Sequence, residues 1–133
     1  MKLVTFKLDN VEGIGSLANE EIIPFNQDAS LPTDMLSFLQ SGEDVINTAK
    51  NLCDSTKERI ALSEVRLLAP ISRPPKIIAI GLNYADHLEE VKAAGRDMET
   101  PKVPMIFNKQ SLSATGPFED IHDPKVSEML DFE

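Results

Sequence analysis

The segment Lys76-Ile77-Ile78-Ala79-Ile80-Gly81-Leu82-Asn83-Tyr84-Ala85-Asp86-His87, followed by Glu90, constrains this chain more than any other. Ile77 to Ile80 leave no polar face, so they predict a central strand covered on both sides. Gly81 predicts a turn that a Cβ would block. Asp86 with Glu89 three residues on has the form of a capping box. A helix is therefore expected to start at Asp86, run to about Ala94 and end at Gly95. His87 and Glu90 then share one helical face at i, i+3. The helix N-terminus disfavours an imidazolium and the Glu90 carboxylate favours it, so the pair suits proton transfer. Glu90 could also fix the imidazole tautomer and leave the other ring nitrogen free for a proton. Spacing alone leaves a plainer reading open, a surface histidine beside an incidental acid.

Upstream, Leu3, Phe6 and Leu8 are interspersed with Lys2, Thr5, Lys7 and Asp9, the pattern of a half-buried strand. Asp9-Asn10-Val11-Glu12-Gly13 has turn chemistry. Ile14 to Ala18 and Glu21 to Phe25 predict two more strands of an N-terminal meander. A short helix is expected over Thr33 to Gln40, closed by Gly42. Ser41 is expected to cap a second helix, with Glu43 and Asp44 near its positive end and Val45, Ala49, Leu52 and Cys53 on one face. Ile60 to Leu68 predicts one extended segment. Ala69-Pro70-Ile71-Ser72-Arg73-Pro74-Pro75 is a linker, because consecutive prolines favour extended backbone. It divides the chain into domains at 1–70 and 71–133. Met105-Ile106-Phe107 predicts a strand, Ser111 to Pro117 a loop, and the last residues, 129–133, another strand.

A chain of 133 residues with 41% apolar residues can bury a core, built from aliphatic side chains because aromatics make up only 5%. The net charge of −9 opposes a nucleic-acid surface and an anionic membrane as partners. Over half of that charge comes from the tail, where Glu119, Asp120, Asp123, Glu128, Asp131 and Glu133 face Lys125 alone. The lone Cys53 excludes an intrachain disulfide and a multi-cysteine zinc site, and reads as a small hydrophobe on a helix face in a reducing compartment. No apolar run is long enough to span a bilayer, and Met1 to Phe6 lacks a signal-peptide core. A cytoplasmic location is the default expectation. His122-Asp123, Glu119 and Asp120 read as solvated surface.

Pro74 to His87 resembles the signature of the fumarylacetoacetate hydrolase family. So do Pro104-Met105-Ile106-Phe107-Asn108-Lys109 and the closing Leu130-Asp131-Phe132-Glu133, while Met1 to Phe6 is similar to the small N-terminal domain of many members. The resemblance implies an α+β chain, with a small α/β N-terminal domain followed by the beginning of a mixed β-roll catalytic domain. It implies a divalent cation, Mg²⁺, Mn²⁺ or Ca²⁺, held by a Glu-x-Glu pair and a downstream Asp. It also implies a small carboxylate substrate, an acylpyruvate, a diketone or a 2-oxo acid, whose enolate the cation stabilises. The chemistry implied is carbon–carbon bond hydrolysis, isomerisation or a lyase reaction, and the complete members are commonly homodimers.

By motif, His87 matches the general base, Glu90 its partner and Glu133 the first glutamate of the metal-binding pair. Tyr84 matches a packing residue or substrate wall. Lys109 matches a basic residue near the site, with a substrate contact and a structural ion pair both open. The second glutamate and the downstream aspartate do not occur before the sequence closes at Glu133. One carboxylate does not make a divalent-cation site. The expectation is therefore a truncated member, inactive by itself. Its rival is a non-catalytic module that associates with a full-length homologue.

Overall fold

The computed structural model describes residues 1–96 and 99–128. They form two units: residues 1–72 together with the segment from Ala114 onward, and Arg73–Ser113. The fold class is α+β, as expected.

The first unit is built on strands β1 (Leu3–Leu8), β2 (Val11–Ala18) and β3 (Glu21–Pro24), paired as consecutive antiparallel hairpins. Both hairpin turns use two residues with positive φ, Asp9 and Asn10 at 46° and 68°, and Asn19 and Glu20 at 52° and 62°. That backbone matches the right-handed twist of the flanking strands. The expected turn over 9–13 is thus only Asp9-Asn10, and Val11 to Gly13 already belong to β2. Gly15 sits where β2 and β3 come closest: a Cβ there would collide with the Ile23 carbonyl and crowd the Ile22 side chain.

The predicted extended segment at 60–68 is broken in two. Strand β4 (Ile60–Ala61) pairs with β3, a 3₁₀ turn occupies Leu62–Glu64, and β5 (Arg66–Leu67) pairs with β1. The order β4-β3-β2-β1-β5 puts these two short strands on opposite edges of one sheet. In a flat sheet the edges would stand roughly 19 Å apart, four strand spacings. A link containing one 3₁₀ turn, at about 2 Å per residue, cannot span that distance. The sheet must curl so that its edges approach each other.

The face of the sheet that bears Ile14 is covered by two helices, α1 (Met35–Gln40) and α2 (Glu43–Ser55). Asp34 caps α1, its carboxylate accepting from the Ser37 N–H at 2.9 Å. Ser41 is not the cap of α2. It is the C-cap of α1, and Gly42, with no side chain to offer, holds the N-cap position of α2, leaving Glu43 and Asp44 in its first turn. Ile14, Phe25, Leu31, Met35, Phe38 and Ala49 form the core, and Val45, Ile46, Leu52 and half-buried Cys53 pack against it. The Phe25 and Phe38 rings meet at 5.1 Å between centroids in a tilted pair, the arrangement their quadrupoles favour. Within the same unit the Thr5 hydroxyl donates to the Pro70 carbonyl at 2.7 Å, tying the linker to the sheet. Glu119, expected to be solvated, accepts from the Gly116 N–H at 2.9 Å and lies 3.8 Å from Arg66. Neither Pro spacing nor charge revealed that local turn.

The second unit holds β6 (Ile77–Gly81), α3 (Ala85–Ala93) and β7 (Met105–Lys109). β6 and β7 form a two-stranded antiparallel sheet, with Gly81 opposite Met105 and Ile77 opposite Lys109. The central position expected for β6 is not filled: among the described residues it pairs on one edge only, and Ile78 and Ile80 are 62% and 49% exposed.

Candidate active site

The chain leaves β6 and enters α3 through Gly81-Leu82-Asn83-Tyr84. The left-handed residue of this turn is Leu82, with φ of 51°, whereas Gly81 lies on the ladder and a Cβ there would make only ordinary contacts, 3.7 Å to Phe107 and 3.8 Å to Met105. The expectation that Gly81 supplies the turn is corrected. A leucine in this region carries strain of about 1 kcal/mol or more, and such strain collects at functional sites. The helix cap is also displaced. Tyr84 holds the N-cap position without a side-chain hydrogen bond, and Asp86 sits inside the first turn, so the Asp86–Glu89 capping box does not form. The far end behaves as expected. Gly95 adopts φ of 80°, its N–H donates to Lys92 and the Arg96 N–H donates to Val91, the paired bonds of a Schellman ending.

Moving the cap two residues back, from Asp86 to Tyr84, keeps His87 and Glu90 on one face. His87 Nδ1 lies 3.5 Å from Glu90 Oε2, with the two side chains 56% and 78% exposed. That separation is longer than a good hydrogen bond and within the range of charge attraction. It tightens when the imidazole gains a proton, and catalytic pairs without substrate are often this loose. Because Nδ1 faces the carboxylate, Nε2 is the nitrogen left to meet a reacting group. The pair can accept a proton and hold the resulting positive charge beside an acid. Solvent exposure makes its contribution to folding stability small.

Tyr84 stands at the start of α3, 73% exposed, with its ring available to a ligand on that side of the unit. Lys109 is at the other end of the ladder. It pairs with Ile77, four residues along β6 from Gly81, roughly 13 Å from the turn that leads into α3. Its Nζ lies 5.9 Å from the centre of the Phe107 ring, which shares its face of β7. The expected metal ligand Glu133, and the strand proposed over 129–133, fall outside the described residues. Among the described residues no group of three or more His, Cys, Asp or Glu side chains could hold a metal ion. The described residues do not by themselves supply the ligand set of the divalent cation that the family resemblance implies. His122 and Asp123 are exposed, as expected. Sequence reasoning missed Leu82. A signal was present in the bulky residue following Gly81, but nothing in residue type tells which of the two takes the left-handed conformation.

No helix among the described residues is long and apolar enough to cross a membrane. Residues 76–133 match the family profile described as fumarylacetoacetate (FAA) hydrolase C-terminal, a span that includes β6, α3 and β7. The chain is 43% identical over 106 residues to a mitochondrial oxaloacetate tautomerase of Xenopus laevis, covering 80% of this chain and 32% of the relative. It is 36% identical over 138 residues to the mitochondrial oxaloacetate tautomerase of Rattus norvegicus, covering 100% of this chain and 42% of the relative. A fumarylacetoacetate hydrolase domain-containing protein 2 homolog of Dictyostelium discoideum is 36% identical over 143 residues, covering 100% of this chain and 44% of the relative. The chain thus spans 32% to 44% of the length of these curated relatives. The last two likenesses run through the curled sheet as well as the His87 helix. With the profile falling on the strand–turn–helix that carries His87 and Glu90, this chain belongs to the fumarylacetoacetate hydrolase family.

Proposed function

We propose that the chain supplies the acid–base part of a site that tautomerises a small 2-oxo diacid of the oxaloacetate kind. The observation that carries this reading is His87 held against Glu90 on the first turns of α3, directly after the strained Leu82 turn. Relatives named oxaloacetate tautomerases support the choice of isomerisation over carbon–carbon bond hydrolysis. Tautomerisation asks only that a proton leave the carbon beside a carbonyl and that one arrive on the carbonyl oxygen. His87 Nε2 would take the carbon-bound proton while the electron pair moves through the new carbon–carbon double bond to the oxygen. Glu90 would hold the imidazolium until it returns a proton to that oxygen. Tyr84 would form a wall for the substrate. In the complete family member a divalent cation, Mg²⁺, Mn²⁺ or Ca²⁺, would stabilise the enolate, with Glu133 as one ligand.

The relatives' names also make a mitochondrial compartment the better reading than the cytoplasmic one. The lone thiol of Cys53 suits either compartment if it is reducing.

A direct test exchanges residues 76–128 into the Xenopus relative and follows loss of the oxaloacetate enol by its ultraviolet absorbance. The chimera should be active, and His87→Gln should lower kcat by about a hundredfold or more, with a smaller change in KM. Unchanged kcat in that variant would remove His87 from the chemistry.

A second reading has its own observation. β6 and β7 each leave one edge unpaired among the described residues, and Ile78, Ile80 and Ile106 are exposed beside those edges. Such edges take up further strands. The chain would then act as a module that associates with a longer homologue, or with a second copy as a homodimer. Light scattering of the chain mixed with the Xenopus relative tests this, and no complex at micromolar concentrations would exclude it.

A further inference from the structure

A cleft of about 690 Å³ opens in the first unit between the sheet and α2, and its lining includes none of the candidate active-site residues. Its charged lining is mostly basic: Lys2 precedes β1, Lys50 projects from α2, and Arg59 precedes β4, with Asp54 the one acid. Arg59 is shared with Glu21 at 3.8 Å, while no ion pair within 4.0 Å holds Lys2 or Lys50 among the described residues. Three basic groups against Asp54 in the lining, with Glu21 behind Arg59, are notable in a chain of net charge −9. Ile23, on the same face as Ser16, and Cys53 supply an apolar floor.

Ser16 makes this more than a patch of surface charge. Thr5 and Ser16 are the two buried polar residues among those described, 8% and 4% exposed. The Thr5 hydroxyl donates to Pro70, but the Ser16 hydroxyl has no protein partner among the described residues. No fully buried side-chain oxygen or nitrogen there is left unpaired, so the Ser16 hydroxyl must reach the cleft. A buried hydroxyl without an acceptor is costly in a packed interior, and it is satisfied by whatever occupies the space beside it. Ser16 follows Ile14 on the same face of β2, so this hydroxyl stands where the core gives way to the basic cleft.

We propose that this cleft binds a small organic dianion with an apolar body. Lys2, Lys50 and Arg59 meet the charge, Ser16 donates a hydrogen bond, and the apolar body lies over Ile23 and Cys53. The volume is in the range of small-molecule sites. The site lies wholly in the first unit, so it stands whether or not His87 is the base of a tautomerase.

The test is a titration of the ¹⁵N-labelled 133-residue chain with phenyl phosphate, with inorganic phosphate as the charge-only control, at constant ionic strength. Saturable shifts should appear at the amides of residues 16–19 and 50–54, with phenyl phosphate binding more tightly than inorganic phosphate. Lys50→Glu should weaken binding by about tenfold or more, and Ser16→Ala by about three- to tenfold. Lys50 is exposed, so the amide spectrum of its variant should otherwise be unchanged. Shifts that stay linear, that fall outside the cleft, that are equal for both probes, or that survive Lys50→Glu would overturn the proposal.

Discussion

Phe25, Phe38 and Ile22 in the first unit are each less than 2% exposed, while Ile78, Ile80 and Ile106 in the second are 62%, 49% and 70% exposed. The residue types are alike, so the difference comes from what surrounds them. Five strands that curl and two helices that cover the Ile14 face make a core. Two strands do not, and an isolated two-stranded sheet is marginal in water. On α3 only Leu88 is buried. The unit that carries the candidate chemistry therefore lacks the packing that holds the other together. A proton-transfer site needs its base held in place, so the proposed function would ask for further packing around the second unit.

The sharpest contrast should come from one truncation in each unit. Phe38→Ala removes a buried ring and should cost about 3–5 kcal/mol in urea unfolding of the first unit. Phe107→Ala, on a residue already 38% exposed, should cost about 1 kcal/mol or less. Equal losses would mean that the units share a single cooperative core.

Glycines divide the same way. Gly15→Ala forces a Cβ into the Ile23 carbonyl and should destabilise by about 1–3 kcal/mol. Gly81→Ala meets only ordinary contacts and should stay within about 0.5 kcal/mol of the parent. A smaller effect of opposite sign is expected at the turn before α3. Leu82→Gly relieves the left-handed strain and should stabilise β6 by up to about 1 kcal/mol, read from slower amide exchange at Ile78 and Ile80. Faster exchange there would show that the Leu82 side chain holds the turn in place.

The smallest effect should be the acid response of the first unit. Hydrogen bonds from Ser37 hold the Asp34 carboxyl below its ordinary value, and Ser30 does the same for Asp28. A depressed carboxyl adds stability that is present above its unfolded value and is lost as pH falls through its folded value. Stability should therefore decline below the usual carboxylate range. Asp34→Asn keeps a capping side chain but should flatten that decline, and an unchanged acid limb in thermal unfolding would remove Asp34 from the account.

Much of the first unit was legible because the patterns that reveal it are local. Alternation marked β1, Asp9-Asn10 marked a hairpin turn, and Val45, Ala49, Leu52 and Cys53 marked the inner face of α2. The Asn19-Glu20 turn was not legible, since glutamate rarely takes positive φ. The break inside 60–68 was hidden because it answers to the curl of the sheet, which brings two distant edges together, and no local residue encodes that. Helix starts were misplaced at Ser41 and Asp86 for one reason. Capping residue types suggest a boundary, but the backbone dihedrals at Gly42 and Tyr84 set it. For the site, the i, i+3 rule placed His87 beside Glu90 irrespective of the cap. The family resemblance put Lys109 near that pair, and only the β6–β7 register reveals that it lies at the far end of the ladder.

Amide hydrogen exchange on the dilute, monomeric chain tests the central contrast most directly. Amides at Ile14, Ile22, Phe38 and Ala49 should exchange only through global unfolding of the first unit. Amides across 77–81 and 105–109 should exchange orders of magnitude faster through local opening. Protection of β6 and β7 equal to that of the first unit's core would contradict the account, because the unit bearing His87 and Glu90 would then hold itself together without further strands or a partner.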